Sequence, residues 1–169
     1  MNEDKKYHIK RLLADTLAQA GSDDLDALEK LLQGIRSKQN KKSKTYLNGV
    51  LNYQGQLTED KKYEAEIELT PFVLNPLKIV HGGITATFAD TVMGTLVNEL
   101  LPENKRCVTS ELKLNYLKPA TGSKLKCKAE LVHRGSHICF VTANILTEDE
   151  EIAAYAAGSF FIISKPERI

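Results

Sequence analysis

N-P-L-K-I-V-H-G-G-I-T-A-T-F-A-D-T-V-M-G-T-L-V-N-E-L-L-P, running from Asn75 to Pro102, is the stretch on which the reading of this chain turns. Gly82-Gly83 opens it and Pro102 stops it, as glycine and proline punctuate a helix. Ile84, Phe88, Val92, Leu96 and Leu100 recur at i+4. Ala86, Ala89, Met93 and Val97 fill most of the remaining circumference, which predicts a helix buried on nearly all sides. Such a helix needs a sheet to wrap it. One carboxylate, Asp90, sits inside this apolar run between Ala89 and Thr91. A charge in such surroundings is costly unless it is paired or has work to do.

The rest of the chain sets bounds on what that helix can belong to. With 169 residues, 42% hydrophobic and 27% charged, the chain can bury one core and carry an extension. A net charge of +1 supplies no overall attraction to nucleic acid or to an anionic membrane, so neither is expected as a partner. Cys107, Cys127 and Cys139 are odd in number and lack C-x-x-C spacing, which argues against a disulfide framework and against a zinc site, and for a reducing, cytoplasmic setting. The start, M-N-E-D-K-K-Y-H-I-K-R, mixes both charge signs and leads into no apolar run, so neither a secretory signal nor a membrane span is expected.

Before the organising stretch the chain reads as two helices. Ile9, Leu12, Leu13, Thr16, Leu17 and Ala20 draw one apolar stripe that Gly21 can end. Ser22 is read as an N-cap, with Asp23 and Asp24 in the first turn and Leu25, Leu28, Leu32 and Ile35 as the second stripe. Residues 1–38 are therefore expected to be a helical hairpin that serves packing or assembly. As a DNA reader it would meet phosphate with the acidic D-D-L-D-A-L-E. Residues 39–44, within S-K-Q-N-K-K-S-K, read as a polar linker. The sheet domain is expected over 45–169.

From Thr45 the period shortens to two. Residues 46–57 and 63–69 are predicted as a hairpin entering the helix, and Tyr63, Ala65, Ile67 and Leu69 alternate with polar neighbours. Past the helix, strands are predicted over 108–117, 125–132, 138–146 and 152–163, with turns at 119–122, 134–136 and 147–150. Turns this short predict antiparallel neighbours throughout. The fold class is α+β: an antiparallel sheet curled around one long central helix.

Asn75, His81, Gly82, Gly83 and Asp90 at these spacings, then Thr109 and Y-L-K-P-A at 116–120, resemble the hotdog-fold acyl-CoA thioesterases of the PaaI type. The resemblance covers about 45–163. It implies a homodimer or homotetramer with the site between protomers, an acyl-CoA substrate, and no metal or other cofactor. It also implies that the Gly82 amide at the helix N-terminus stabilises the oxyanion. Glycine there would let the substrate approach the backbone closely. By the same resemblance Asp90 of the facing protomer would act as general base, or as a nucleophile giving a transient anhydride. Asn75 would hold the water or the carbonyl, and Thr109 would orient the water. His81 and Gly83 form the site, His81 by fixing the loop and not as the base.

Several of these residues have a plainer reading beside the functional one. Asn75 precedes Pro76 and also suits a turn cap, and threonine at 109 is common on strands. Arg134 and Ser136 lie on the turn that approaches coenzyme A in similar proteins. Lys118, Lys124, Lys126 and Lys128 either attract its phosphates or form a solvent face. His133 and His137, split by Gly135, do not make a metal pair. The expected activity is hydrolysis of an acyl-CoA thioester. A non-catalytic acyl-CoA sensor and an enoyl-thioester hydratase or dehydratase are the alternatives.

Overall fold

The structure is a computed structural model that describes residues 2–165, so the last four residues of the expected sheet domain lie outside it. The chain divides into two compact units. One holds the residues up to Val50 together with Thr70–Phe72, the other Leu51–Leu69 and the chain from Val73 onward.

The first unit contains α1 (Asn2–Leu17), α2 (Ser22–Gln39) and a short α3 (Tyr46–Val50). Both predicted long helices form, but α1 buries none of its residues, and Ile9, Leu12 and Leu17 of its stripe are exposed. Gly21, not Ser22, is the N-cap of α2, and its N–H is taken by the Asp24 carboxylate at 3.0 Å. α3 corrects the strand expected to begin at Tyr46. The Thr45 hydroxyl accepts from Asn48 N at 3.0 Å and starts a helical turn there. Gly49 then lies so close to Gly34 of α2 that a side chain on either would overlap backbone atoms.

The second unit is a six-stranded sheet with one long helix. Its elements are β1 (Gln54–Leu57), β2 (Tyr63–Glu68), α4 (Gly82–Leu100), β3 (Lys105–Tyr116), β4 (Lys124–Arg134), β5 (Ile138–Leu146) and β6 (Ile152–Ser164). All pairings are antiparallel, in the order β1-β2-β4-β5-β6-β3. Inward residues of the sheet, among them Ile67, Leu125, Val141, Ile145 and Phe160, pack with Phe88, Val92, Met93 and Leu96 of α4 in one fully buried core.

Two expectations change here, and both changes bear on the site. β3 and β4 are joined by a short link yet are not neighbours: β3 pairs with β6 and stands at the free edge. In extended form residues 117–123 reach about 24 Å, enough to cross the end of a curled sheet. Hydrogen bonds from Val80 N to Ala120 O, from Leu69 N to Ser123 O and from Leu117 N to Ala153 O tie the link across that end, beside the N-terminus of α4. Nor is α4 buried all round. Thr87, Asp90, Thr91, Gly94 and Asn98 form a half-exposed polar stripe. The Thr91 and Thr95 hydroxyls bond back to carbonyls one turn earlier.

Candidate active site

His81 is the N-cap of α4, with extended backbone (φ −60°, ψ 130°), and its Nδ1 accepts from Gly83 N at 3.0 Å. An accepting Nδ1 leaves the ring's proton on Nε2. His81 O receives Ile84 N at 2.9 Å and Thr85 N at 3.2 Å. The Gly82 N–H finds no acceptor among the described residues, as befits the first turn of a helix, and carries the partial positive charge of that end.

The preceding loop is held by Asn75. Its Oδ1 accepts from Leu77 N at 2.9 Å and Ile79 N at 3.4 Å, while its backbone N–H donates to Ile79 O at 2.8 Å. This is an Asx turn, and it ties up the side-chain oxygen while the Nδ2 amide remains a donor. Asn75, Gly82, Gly83, Tyr116 and Lys118 line a cleft of about 490 Å³, with Ile79, Val80, Ala120, Ala153 and Ala154 as its apolar wall. Tyr116, the last residue of β3, reaches it: its hydroxyl donates to Gly82 O at 2.7 Å. Sequence alone placed Tyr116 on a strand face and gave no sign of this contact, which spans 34 residues.

Asp90 is elsewhere. It is half-buried, and the Thr109 hydroxyl of the edge strand donates to its Oδ1 at 2.7 Å. The reading of Asp90 as an unpaired buried charge is thus corrected. The stripe of α4 that carries it runs beside the open edge of the sheet, where Thr109 is exposed. Asp90 stands eight helical steps after Gly82, about 12 Å of rise and about 80° of rotation. Within one chain the two cannot address the same atom.

Arg134 and Ser136 lie at the opposite end of the helix. Arg134 Nη1 donates to Leu100 O at 3.0 Å, where a cation meets the negative end of α4. Ser136 Oγ lies 2.8 Å from His137 Nδ1. The lysines that alternate along β4 are the solvent face. Lys124 meets Glu66 at 2.7 Å, and Lys126 and Lys128 meet Glu150 at 2.6 and 3.0 Å. Lys118 pairs with Glu151 at 2.8 Å at the mouth of the cleft. These pairs hold Glu150 below the usual carboxylate range, first through Lys126 and then through Lys128.

Cys107 is the neighbour of Asp90 that most resembles a nucleophile. Burial pushes its thiol up to about 11, with Cys139 and Asp90 adding to the rise, and its Sγ donates to Gly94 O at 3.5 Å. It is therefore protonated at neutral pH. Among the described residues, no three His, Cys, Asp or Glu side chains group as metal ligands, and no helix is long and apolar enough to cross a membrane.

Comparison with known proteins bears on the family and the fold. Residues 77–154 match the thioesterase superfamily. The BH2602 protein of Bacillus halodurans, whose crystal structure contains CoA, is 36% identical. The match covers 90% of this chain and 99% of that one, with a TM-score of 0.84. Thioesterase HI1161 of Haemophilus influenzae (20% identical, 77% and 91% covered, TM-score 0.70) shares the fold. So does the PaaI protein of E. coli, from its phenylacetic acid degradation operon (18%, 80% and 95%, TM-score 0.65). With its helix wrapped by an antiparallel sheet and its H-G-G at the helix start, this chain belongs to the thioesterase superfamily and is a thioester hydrolase of the hotdog fold.

Proposed function

We propose that the protein hydrolyses acyl-coenzyme A thioesters at sites built from two protomers, with the Gly82 N–H of one facing Asp90 of the other. The observation that carries this is the separation of the two groups along one helix. A donor at the helix start and a carboxylate about 12 Å further on complete a single site only when a second copy brings its own α4 alongside. β3 suits that contact: it is a twelve-residue edge strand with free backbone groups, and an edge of that length is a ready pairing surface. BH2602 holds CoA in its crystal structure, which supports CoA as the carrier.

In this reading the thioester carbonyl oxygen points at the Gly82 N–H. Asp90 takes a proton from water as the water oxygen attacks the carbonyl carbon, and charge collects on the oxygen held by Gly82. The C–S bond then breaks, and the proton returns from Asp90 to the departing sulfur. Thr109 holds Oδ1 and leaves Oδ2 for the water, while its own oxygen stays free to accept. Asn75 offers Nδ2 to the carbonyl or the water. His81 and Gly83 shape the loop, and Arg134 and Ser136 meet the nucleotide end of CoA.

The test is release of free thiol across a panel of aromatic, short and long acyl-CoA thioesters, run beside Asp90→Asn. The proposal expects turnover of at least one thioester and a loss of about a hundredfold or more in kcat for the variant, with KM little changed. Binding of acyl-CoA by both proteins with turnover by neither would instead identify a sensor.

A further inference from the structure

The peptide between Gly82 and Gly83 is held at both ends by side chains. Its N–H donates to His81 Nδ1 at 3.0 Å, and its carbonyl oxygen accepts the Tyr116 hydroxyl at 2.7 Å. The peptide before it, His81 C=O with Gly82 N–H, is held through its oxygen, which receives two first-turn N–H groups, and one peptide further back His81 N donates to Val73 O at 2.9 Å. The Gly82 N–H belongs to the plane of the His81 carbonyl, and only Gly82's own φ and ψ join it to the plane that Tyr116 holds. A glycine is the residue least able to hold its own dihedrals, so a donor on glycine points in a fixed direction only if its neighbours are fixed.

Tyr116 occupies the space that glycine leaves. A Cβ on Gly82 would stand 3.1 Å from the Tyr116 hydroxyl oxygen and 3.3 Å from Cζ. The absence of a side chain at 82 thus admits the phenol, whereas the sequence suggested that it admits substrate. Tyr116 is 57% exposed at the end of the edge strand, so little of its packing serves the core. Its hydroxyl holds the Gly82 carbonyl, on the far side of the soft glycine torsions from the anion-binding N–H.

We propose that Tyr116 is a positioning residue of the thioesterase reaction: it ties the Gly82 carbonyl to β3 and thereby aims the Gly82 N–H at the oxyanion. The inference rests on the role given to Gly82 above. Losing an oxyanion donor outright costs ~10²–10³ in kcat, and loosening one costs less.

Tyr116→Phe keeps the ring and removes only the hydroxyl. Its kcat should fall about tenfold, with KM for the best acyl-CoA and the melting temperature both close to wild type. Gly82→Ala sets a methyl group 3.1 Å from the phenol oxygen, so the phenol must shift and the same tie is strained. The double variant Gly82→Ala/Tyr116→Phe should therefore be no slower than the slower single variant. A Tyr116→Phe enzyme with kcat within twofold of wild type would overturn the inference, as would one whose KM rises by as much as kcat falls. Asp90→Asn is assayed alongside. If it is inactive, such a result removes Tyr116 alone; if it is fully active, the proposed reaction fails and the role of Tyr116 with it.

Discussion

Thr109 and Asp90 stand 19 residues apart in the chain, and the Thr109 hydroxyl donates to Asp90 Oδ1 at 2.7 Å across the open edge of the sheet. That bond fixes one carboxylate oxygen and, in the proposed reaction, leaves the other for the water. Thr109→Val keeps the β-branched shape that the strand favours and removes the donor. It should lower kcat about tenfold with KM nearly constant, while Thr109→Ser should restore most of the rate. Steady-state kinetics on the three proteins decide this, and a Val variant as fast as wild type would remove Thr109 from the reaction.

Arg134 has a structural task in hand, its bond to Leu100 O, and a proposed second task at the nucleotide end of CoA. Truncated substrates separate them. Arg134→Met should raise KM severalfold for an acyl-CoA and leave KM unchanged for the matching N-acetylcysteamine thioester, which has no nucleotide. The lost contact with the helix end should cost roughly 0.3–1 kcal/mol, visible as a small drop in melting temperature. Equal KM changes on both substrates would assign Arg134 to the helix alone.

How much of this was legible beforehand depends on the range of the interaction. The 3.6-residue pattern from Ile84 to Leu100 and the two-residue alternation after it are local, and both helix and strands formed where those patterns lay. The spacing of Asn75, His81, Gly82 and Asp90 was likewise readable along one loop and one helix. What was missed is what the curl of the sheet brings together. β3 was placed beside β4 because the link between them is short, yet β3 pairs with β6 at the far edge and its last residue, Tyr116, meets Gly82 there. Asp90 looked unpaired because Thr109 reaches it only after β3 takes the far edge. α3 was read as strand because the contact of Gly34 with Gly49, 15 residues on, leaves no trace in periodicity.

Cys107 lies near Asp90 but is expected to take no part in turnover. With an ordinary thiol value near 9.0 raised to about 11 by burial, it stays protonated at pH 8 and should react slowly with iodoacetamide in the folded protein. Cys107→Ser should keep kcat within about twofold. The linkage has a definite sign. The raised value means the folded state holds the proton more tightly, so this contribution to stability is complete below pH 9 and is lost as pH rises through about 11. Denaturant titrations across that window should show a smaller decline for the Ser variant.

Removal of residues 2–17 takes away a helix that buries none of its own side chains. The truncated protein is expected to keep kcat and KM within about twofold, since no proposed site residue precedes Asn75. Loss of turnover from a truncated protein with an unchanged melting curve would place α1 in the reaction.

The central claim, that one site draws on two protomers, is tested most directly by complementation between two dead variants. Gly82→Pro deletes the N–H at the first helical position, where proline is accepted, and His81 already has the extended backbone that precedes a proline. Asp90→Asn deletes the base. Each protein alone should be inactive on acyl-CoA. Co-expressed with separate affinity tags and mixed at random, they should regain about a quarter of wild-type kcat, because half of the dimers are mixed and each mixed dimer keeps one intact site of two. A purified mixed dimer without activity would contradict the account, since it would mean that Gly82 and Asp90 serve from the same protomer or not at all.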